Sequence, residues 1–241
     1  MNINKGCRLF LRDVFLYDIT ACHYQIIQRL GYYVKDVPTH DKLARNTYIG
    51  LMMRENPRLV TILRSITSST IDEYLLKNNI SDDNIIIRQY DGFISTKILR
   101  ETNLTIPIDL KASLVYMLIS SDRKAFMTLD SNNNVTIKGV PFRYEAIDDM
   151  LKKLMFLNYG NKEYLFKGLQ KIKDEILLSE DSSLYCIPTV DETSNVFLKK
   201  YGEIQISNSF AKIMDSKDID KERYFEFYIR PFTESILIEF L

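Results

Sequence analysis

Hydrophobic positions along this chain recur with two periods. Arg12 to Tyr17 reads as a strand that ends at Asp18. Ile26, Ile27 and Leu30 then follow helical spacing up to Gly31, a plausible helix stop. Pro38 starts a new element, and Leu43, Ile49, Met52 and Met53 make Lys42–Arg54 helical until Pro57. A third helix is expected over Leu59–Asn78, with Leu63, Ile66, Ile71, Leu75 and Leu76 apolar. Asn84–Tyr90 is strand-like, meets Asp91-Gly92, and returns as Phe93–Ile98, a strong hairpin signal.

Further strands are expected at Ala112–Ile119, Ala125–Leu129 and Val135–Val140, the last two separated by the turn-forming Asp130-Ser-Asn-Asn-Asn134. Helices follow at 144–157 and Lys162–Leu178. Residues 179–220 are mixed and polar. Arg223–Phe240 reads as an aromatic-rich helix interrupted by Pro231. The pattern gives an α+β unit over residues 1–140 and a mainly helical unit over 141–241. The aromatic positions Tyr224, Phe225, Phe227, Tyr228, Phe232 and Phe240 are read as core packing rather than a base-stacking surface.

Composition narrows the function classes. The chain has 241 residues with 32 basic and 32 acidic side chains, which excludes a uniformly basic nucleic-acid coat protein. The charge is uneven, however. Arg29, Lys35, Lys42, Arg45, Arg54, Arg58 and Arg64 outnumber Asp36, Asp41 and Glu55 over residues 29–64. Such a segment suits phosphate or a solvated helix face. No apolar run reaches the ~20 residues of a membrane span, and the N-terminus lacks a signal-peptide core, so an intracellular protein without a membrane partner is expected. Cys7, Cys22 and Cys186 are too dispersed for a zinc site or a disulfide framework. With only His23 and His40 besides, metal chemistry falls to carboxylates, hence Mg²⁺ or Mn²⁺. Asp18, at a strand end, and Asp91, in a hairpin turn, form the candidate pair. Taken alone, an Asp at either position is ordinarily there for turn chemistry.

The order of the surrounding residues adds a resemblance. Asp18-Ile-Thr-Ala-Cys-His-Tyr-Gln-Ile-Ile27 resembles motif A of the family B DNA polymerases, D-x-x-S-L-Y-P-S-I-I. Lys42-Leu-Ala-Arg-Asn46-Thr-Tyr-Ile-Gly50 resembles motif B, K-x-x-x-N-S-x-Y-G. Arg88-Gln-Tyr-Asp91-Gly-Phe-Ile94 resembles motif C, with Asp91 on its second aspartate. Arg123-Lys124-Ala-Phe, with Ile137-Lys138-Gly139-Val140, is similar to the K-K-R-Y segment and its K-G-V sequel. Asp220–Pro231 is similar to the closing thumb segment.

The resemblance runs from Asp18 to about Leu237. It implies a palm-like antiparallel sheet with helices over 1–140, a minimal fingers helix at about 38–56, and a thumb-like lobe over 141–241. It also implies a DNA polymerase catalytic subunit acting by a two-metal mechanism on primer–template DNA and dNTP. Asp18 and Asp91 would be the catalytic, metal-ligating pair for two Mg²⁺ ions, with carboxylates ~4–7 Å apart. Lys42, Asn46, Gly50 and His23 would meet the nucleotide. Arg45, Arg123, Lys124 and Lys138 would line a groove for nucleic acid.

The chain departs from the family at Ala21, Cys22 and His23 in motif A and at Gln89 and Gly92 in motif C. The 28-residue spacing from Asp18 to Asn46 shortens the fingers, leaving Arg29 or Lys35 to replace a triphosphate-binding arginine. A second polypeptide supplying N-terminal, exonuclease and fingers functions is therefore expected, as in a split bacteriophage-type polymerase in a host cytoplasm. Val14–Tyr17, Tyr32-Tyr33 and Met52-Met53 are candidates for the apolar surface it covers. The alternatives are a catalytically inactive polymerase-like subunit that binds nucleic acid or scaffolds a replication or transcription complex, and an unrelated α+β protein.

Overall fold

The computed structural model describes residues 2–31, 42–100, 102–139, 145–158, 160–178 and 229–241. The elements are β1 (Asn2–Ile3), β2 (Phe10–Asp18), α1 (Cys22–Arg29), α2 (Lys42–Glu55), α3 (Pro57–Lys77), β3 (Ile85–Arg88) and β4 (Gly92–Ser95). They continue with β5 (Asp109–Ile119), β6 (Phe126–Asp130), β7 (Val135–Lys138), α4 (Glu145–Asn158), α5 (Lys162–Leu178) and α6 (Arg230–Ile238). The class is α+β with antiparallel strand pairs. None of the described helices is long and apolar enough to cross a membrane.

Packing divides the chain into two units. One holds residues 1–7 and 13–113, the other residues 8–12 and 114–241. This partition places β6, β7 and the end of β5 with the later helices, whereas the sequence pattern puts the cut near residue 140. The chain passes between units inside β2, next to Asp13, whose backbone is left-handed (φ 52).

In the first unit the strand order is β1-β3-β4-β2. Its core gathers Tyr17, Ile26, Ile27, Ile49, Leu59, Leu63, Ile71, Tyr74 and Phe93. Helix α3 starts where Asn56 accepts the Leu59 N–H and Pro57 occupies the first turn, a standard start signal. The Tyr17 ring stacks on Phe93 at 5.1 Å, and Tyr74 closes the cluster. Each such pair contributes about 0.5–1.5 kcal/mol beyond the area it buries. The Tyr17 hydroxyl accepts the Leu99 N–H at 2.7 Å, which satisfies its one polar atom in the core.

Two expectations are corrected here. Val14 and Tyr17 are buried, and Phe15, Met52 and Met53 are packed against the core. They are not bare apolar surface: Phe15, Tyr17, Met52 and Met53 pack into the core shared with α1–α3, Val14 is also buried, and strand alternation alone cannot show which face is covered. Tyr32-Tyr33 lie outside the described residues.

In the second unit β5, β6 and β7 pair in sequence. Phe10, Tyr116, Met127, Leu129, Leu151, Met155, Leu165, Leu169 and Phe232 form its core. The Glu239 carboxylate accepts the N–H groups of Leu9 and Phe10 and meets Lys162 Nζ at 3.5 Å. Pro231 sits in the first turn of α6 and so begins that helix rather than interrupting it. Of the aromatic positions near the C-terminus, Phe232 is core and Phe240 is exposed. Tyr224, Phe225, Phe227 and Tyr228 lie outside the described residues, as does most of the segment matched to the thumb.

The β3–β4 hairpin turns on Tyr90 and Asp91, closed by Gln89 N–H donating to Gly92 O at 2.8 Å. Gly92 is thus already a strand residue, opposite Asp18. A Cβ on Gly92 would lie 2.3 Å from the Tyr17 carbonyl oxygen and 3.2 Å from Asp18 Cα. Backbone cannot yield as a flexible side chain can. Gly92→Ala is expected to cost about 2–3 kcal/mol in urea unfolding, and an unchanged midpoint would refute this account of the glycine.

Candidate functional site

Three turns of backbone build the site. β2 delivers Asp18, and Ile19 N–H then donates to Asp91 O at 2.8 Å. Asp18 and Asp91 therefore stand side by side where β2 and the hairpin meet. Ala21 takes a left-handed conformation (φ 51, ψ 40), unfavourable for a residue with a Cβ. It swings the chain from the strand into α1. Helix α2 adds Lys42, Arg45, Asn46, Ile49, Gly50 and Met53, spaced three to four residues apart and hence on one face. Buried Ile49 anchors that face to the core.

These segments enclose a cavity of about 430 Å³. Its lining unites Asp18, His23, Lys42, Arg45, Asn46, Gly50 and Asp91, with Thr20, Tyr24 and Lys111 added. Both carboxylates are half-buried. The Arg45 guanidinium lies over the Tyr24 ring at 5.5 Å, a cation–π contact that limits its swing. A Cβ on Gly50 would meet nothing within 4 Å. That glycine opens space on the cavity side of α2 rather than admitting another part of the protein.

Burial shapes the floor. His23 contacts Tyr90 ring to ring at 5.1 Å, and its Nε2 is buried without a hydrogen-bond partner. Burial lowers its pKa, only partly opposed by Asp91, so the imidazole is neutral at neutral pH. The Cys22 thiol is pushed up to about 11, first by burial, then by Asp91 and Asp18, against a hydrogen bond with Thr67 at 3.2 Å.

Thr20 and Lys111 are the additions that sequence reasoning missed. Lys111 Nζ donates to Thr20 Oγ1 at 2.5 Å, and Thr20 Oγ1 donates to Asp109 Oδ2 at 2.7 Å. The expected strand began at Ala112, whereas β5 begins at Asp109. The Asp-x-Lys spacing, two side chains on one strand face, was the available signal. Arg29, expected to serve the triphosphate, instead lines a separate cavity of about 240 Å³ with Ile26, Leu30, Ile66 and Glu73. Lys35 is outside the described residues.

The remaining predicted basic residues belong to the second unit. Arg123 (φ 55) and Lys124 form the β5–β6 turn, and Lys138 pairs with Phe126 one strand away. A Cβ on Gly139 would lie 2.0 Å from Lys124 O, so the glycine (φ +83) permits that approach. Lys124 also meets Asp122 at 3.5 Å.

No family model matches the chain, and no curated protein matches it. Among solved structures, the family B DNA polymerase from the hyperthermophilic archaeon Pyrobaculum calidifontis aligns with 97% of this chain at 10% identity and a TM-score of 0.47. This chain spans 46% of that polymerase chain. A likeness at this level assigns neither family nor activity.

Among the described residues, no group of three or more His, Cys, Asp or Glu side chains could hold a metal ion. Asp18 and Asp91 do fit the habit of Mg²⁺, which keeps several waters and takes one or two carboxylates plus substrate phosphates. The donor set matches a site completed by substrate rather than a closed cage.

The buried thiol gives a direct check on the floor of the cavity. A Cys7→Ser, Cys186→Ser double variant is expected to alkylate at Cys22 about 100-fold more slowly when folded than when unfolded near pH 8, because two units of pKa remove that much thiolate. Labelling at the unfolded rate would show the thiol to be exposed.

Proposed function

We propose that the cleft is the nucleotide site of a template-directed nucleotidyl transferase resembling family B DNA polymerases. One observation carries the reading: Asp18 and Asp91 line the same cleft as the α2 face bearing Lys42, Arg45 and Asn46. Carboxylates facing amines and amides across a cleft are the parts list of phosphoryl transfer, which relies on positioning and charge rather than covalent chemistry.

In this reading Asp18 and Asp91 would hold Mg²⁺, two ions in the full mechanism. Bound there, the metal supplies a lowered pKa for a hydroxyl nucleophile and counter-charge for phosphoryl oxygens. Lys42 donates to phosphate oxygens as a point charge. Asn46, one turn later on the same face, offers both a donor and an acceptor beside the base pair. Gly50 leaves room for that pair. Neutral His23, held against Tyr90, walls the region of the sugar. Arg45 orients toward the strand backbone from its seat over Tyr24. Primer–template DNA, a dNTP, and a second polypeptide with exonuclease and fingers functions belong to the same proposal, as do the phage-type setting and DNA contacts at Arg123, Lys124 and Lys138.

A second reading, a catalytically inactive polymerase-like subunit, is favoured by the donor count. Two carboxylates share the cavity with three cationic side chains. Mg²⁺-dependent primer extension, by the chain alone and with candidate partner chains, separates the two. Asp91→Asn is expected to reduce extension to background while the folded state and any complex persist, because the change removes charge and little volume. Undiminished extension by both Asp18→Asn and Asp91→Asn would overturn the catalytic assignment. Nucleotide binding without extension by the wild type in any complex would establish the inactive reading.

A further inference from the structure

We infer that Lys111 is a second anion-binding cation of this cleft, held in place by Thr20 and Asp109, and that the cleft binds a polyphosphate without needing a metal. The inference rests on the nucleotide-site reading but extends to residues outside the resemblance.

The charged lining comprises Asp18 and Asp91 against Lys42, Arg45 and Lys111, two formal negative charges against three positive. A cleft that served only to gather cations would not place three of its own there. Lysine ammonium groups are long, flexible and strongly hydrated, so an unrestrained one contributes little. Lys111 is restrained. Its ammonium donates to Thr20 Oγ1, whose own proton goes to Asp109 Oδ2. The hydroxyl is thereby fixed as an acceptor toward lysine. That bond uses one of the three N–H donors and leaves two for an oxyanion. Thr20 and Lys111 both line the cavity, and Asp109 does not. The carboxylate that orients the lysine is not among the cavity-lining groups, although one hydroxyl away it offsets part of the Lys111 charge. Lys42 and Lys111 come from different elements, α2 and β5, and line the same cavity, the arrangement a ligand with charges spread along its length calls for.

The substrate class this favours is a linear polyphosphate ester, a nucleoside triphosphate, over a monophosphate, because it offers more charged oxygens along its length to two lysines on separate elements. Thr20 is a positioning residue, because it acts on the ligand through Lys111.

The test uses the full-length chain and inorganic tripolyphosphate, titrated calorimetrically in EDTA, with orthophosphate as the comparison. Wild type is expected to bind tripolyphosphate at least ~10-fold more tightly than orthophosphate, since a second charge-assisted contact is gained. Lys111→Ala should weaken tripolyphosphate binding about 10-fold. Lys111→Arg should restore it, and Thr20→Val should weaken it less than the alanine variant does. Asp18→Asn should tighten binding, because it removes a negative charge from the lining. If Lys111→Ala left the affinity unchanged with the fold intact, the proposal would be overturned, and equal affinity for the two anions would overturn the polyphosphate preference. Should Lys111→Ala unfold the chain, Thr20→Val decides: an unchanged affinity there refutes the positioning role. Extension assays separate this from the polymerase reading. Where extension occurs, Lys111→Ala should raise KM for dNTP with kcat largely kept. Where no form of the protein extends a primer but tripolyphosphate binding depends on Lys111, the anion site stands and the transferase reading falls.

Discussion

The candidate site depends on how closely two backbones approach. Asp91 reaches Asp18 only because β4 comes against β2 at a residue without a side chain, where any Cβ would press on the Tyr17 carbonyl. The approach is then fixed from three sides. Ile19 N–H bonds to Asp91 O, the Tyr17 ring lies on Phe93, and the Tyr17 hydroxyl takes the Leu99 N–H. A few tenths of an ångström of relaxation would be shared between two carboxylates that stand at the very end of this contact. The core residue Tyr17 and the candidate ligand Asp18 are chain neighbours on opposite sides of the strand, so packing on one side holds geometry on the other.

The chemistry is segregated in a similar way. Beneath the cavity, burial keeps the titratable groups neutral: His23 loses its proton readily and Cys22 keeps its own. Around it, charge of both signs is carried on separate elements: the carboxylates on the sheet, Lys42 and Arg45 on α2, Lys111 on β5. A neutral floor under a charged rim concentrates the field where a ligand sits, because the floor contributes little dielectric screening.

The sequence makes much of this visible. The run Ile85-Ile86-Ile87 before Asp-Gly marks the hairpin, and the apolar spacing in Leu59–Asn78 marks α3 to within two residues at its start and one at its end. The order of motifs groups Asp18, Asp91 and the α2 residues from the sequence alone. What is hidden has physical reasons. In an Asp-Gly pair the glycine reads as a turn residue, yet here it serves a close approach to Asp18, 74 positions earlier, which local pattern cannot encode. Lys111 falls just after Pro107, where turn composition masks the start of β5. Pro231 can break a helix or open one, and its own identity does not choose. Arg29 carries the right charge but points into another cavity, because its face of α1 is set by the burial of Ile26 and Ile27.

The division of the chain also bears on the order in which it is made. Residues 8–12 belong with a unit whose other members begin at Leu114. Phe10 packs on Tyr116, Leu9 O accepts the Ile119 N–H, and Glu239 binds the N–H groups of Leu9 and Phe10. During synthesis this short apolar segment leaves the ribosome more than a hundred residues ahead of its partners from Leu114 onward, and 230 residues separate Leu9 from Glu239. Contacts of such long sequence separation close slowly, and at ordinary translation rates of about 5–20 residues per second the wait is of the order of ten seconds or more. Leu9 and Phe10 thus stay unpaired on the nascent chain until those later residues emerge, and no single cut in the gene can deliver either unit as an uninterrupted module.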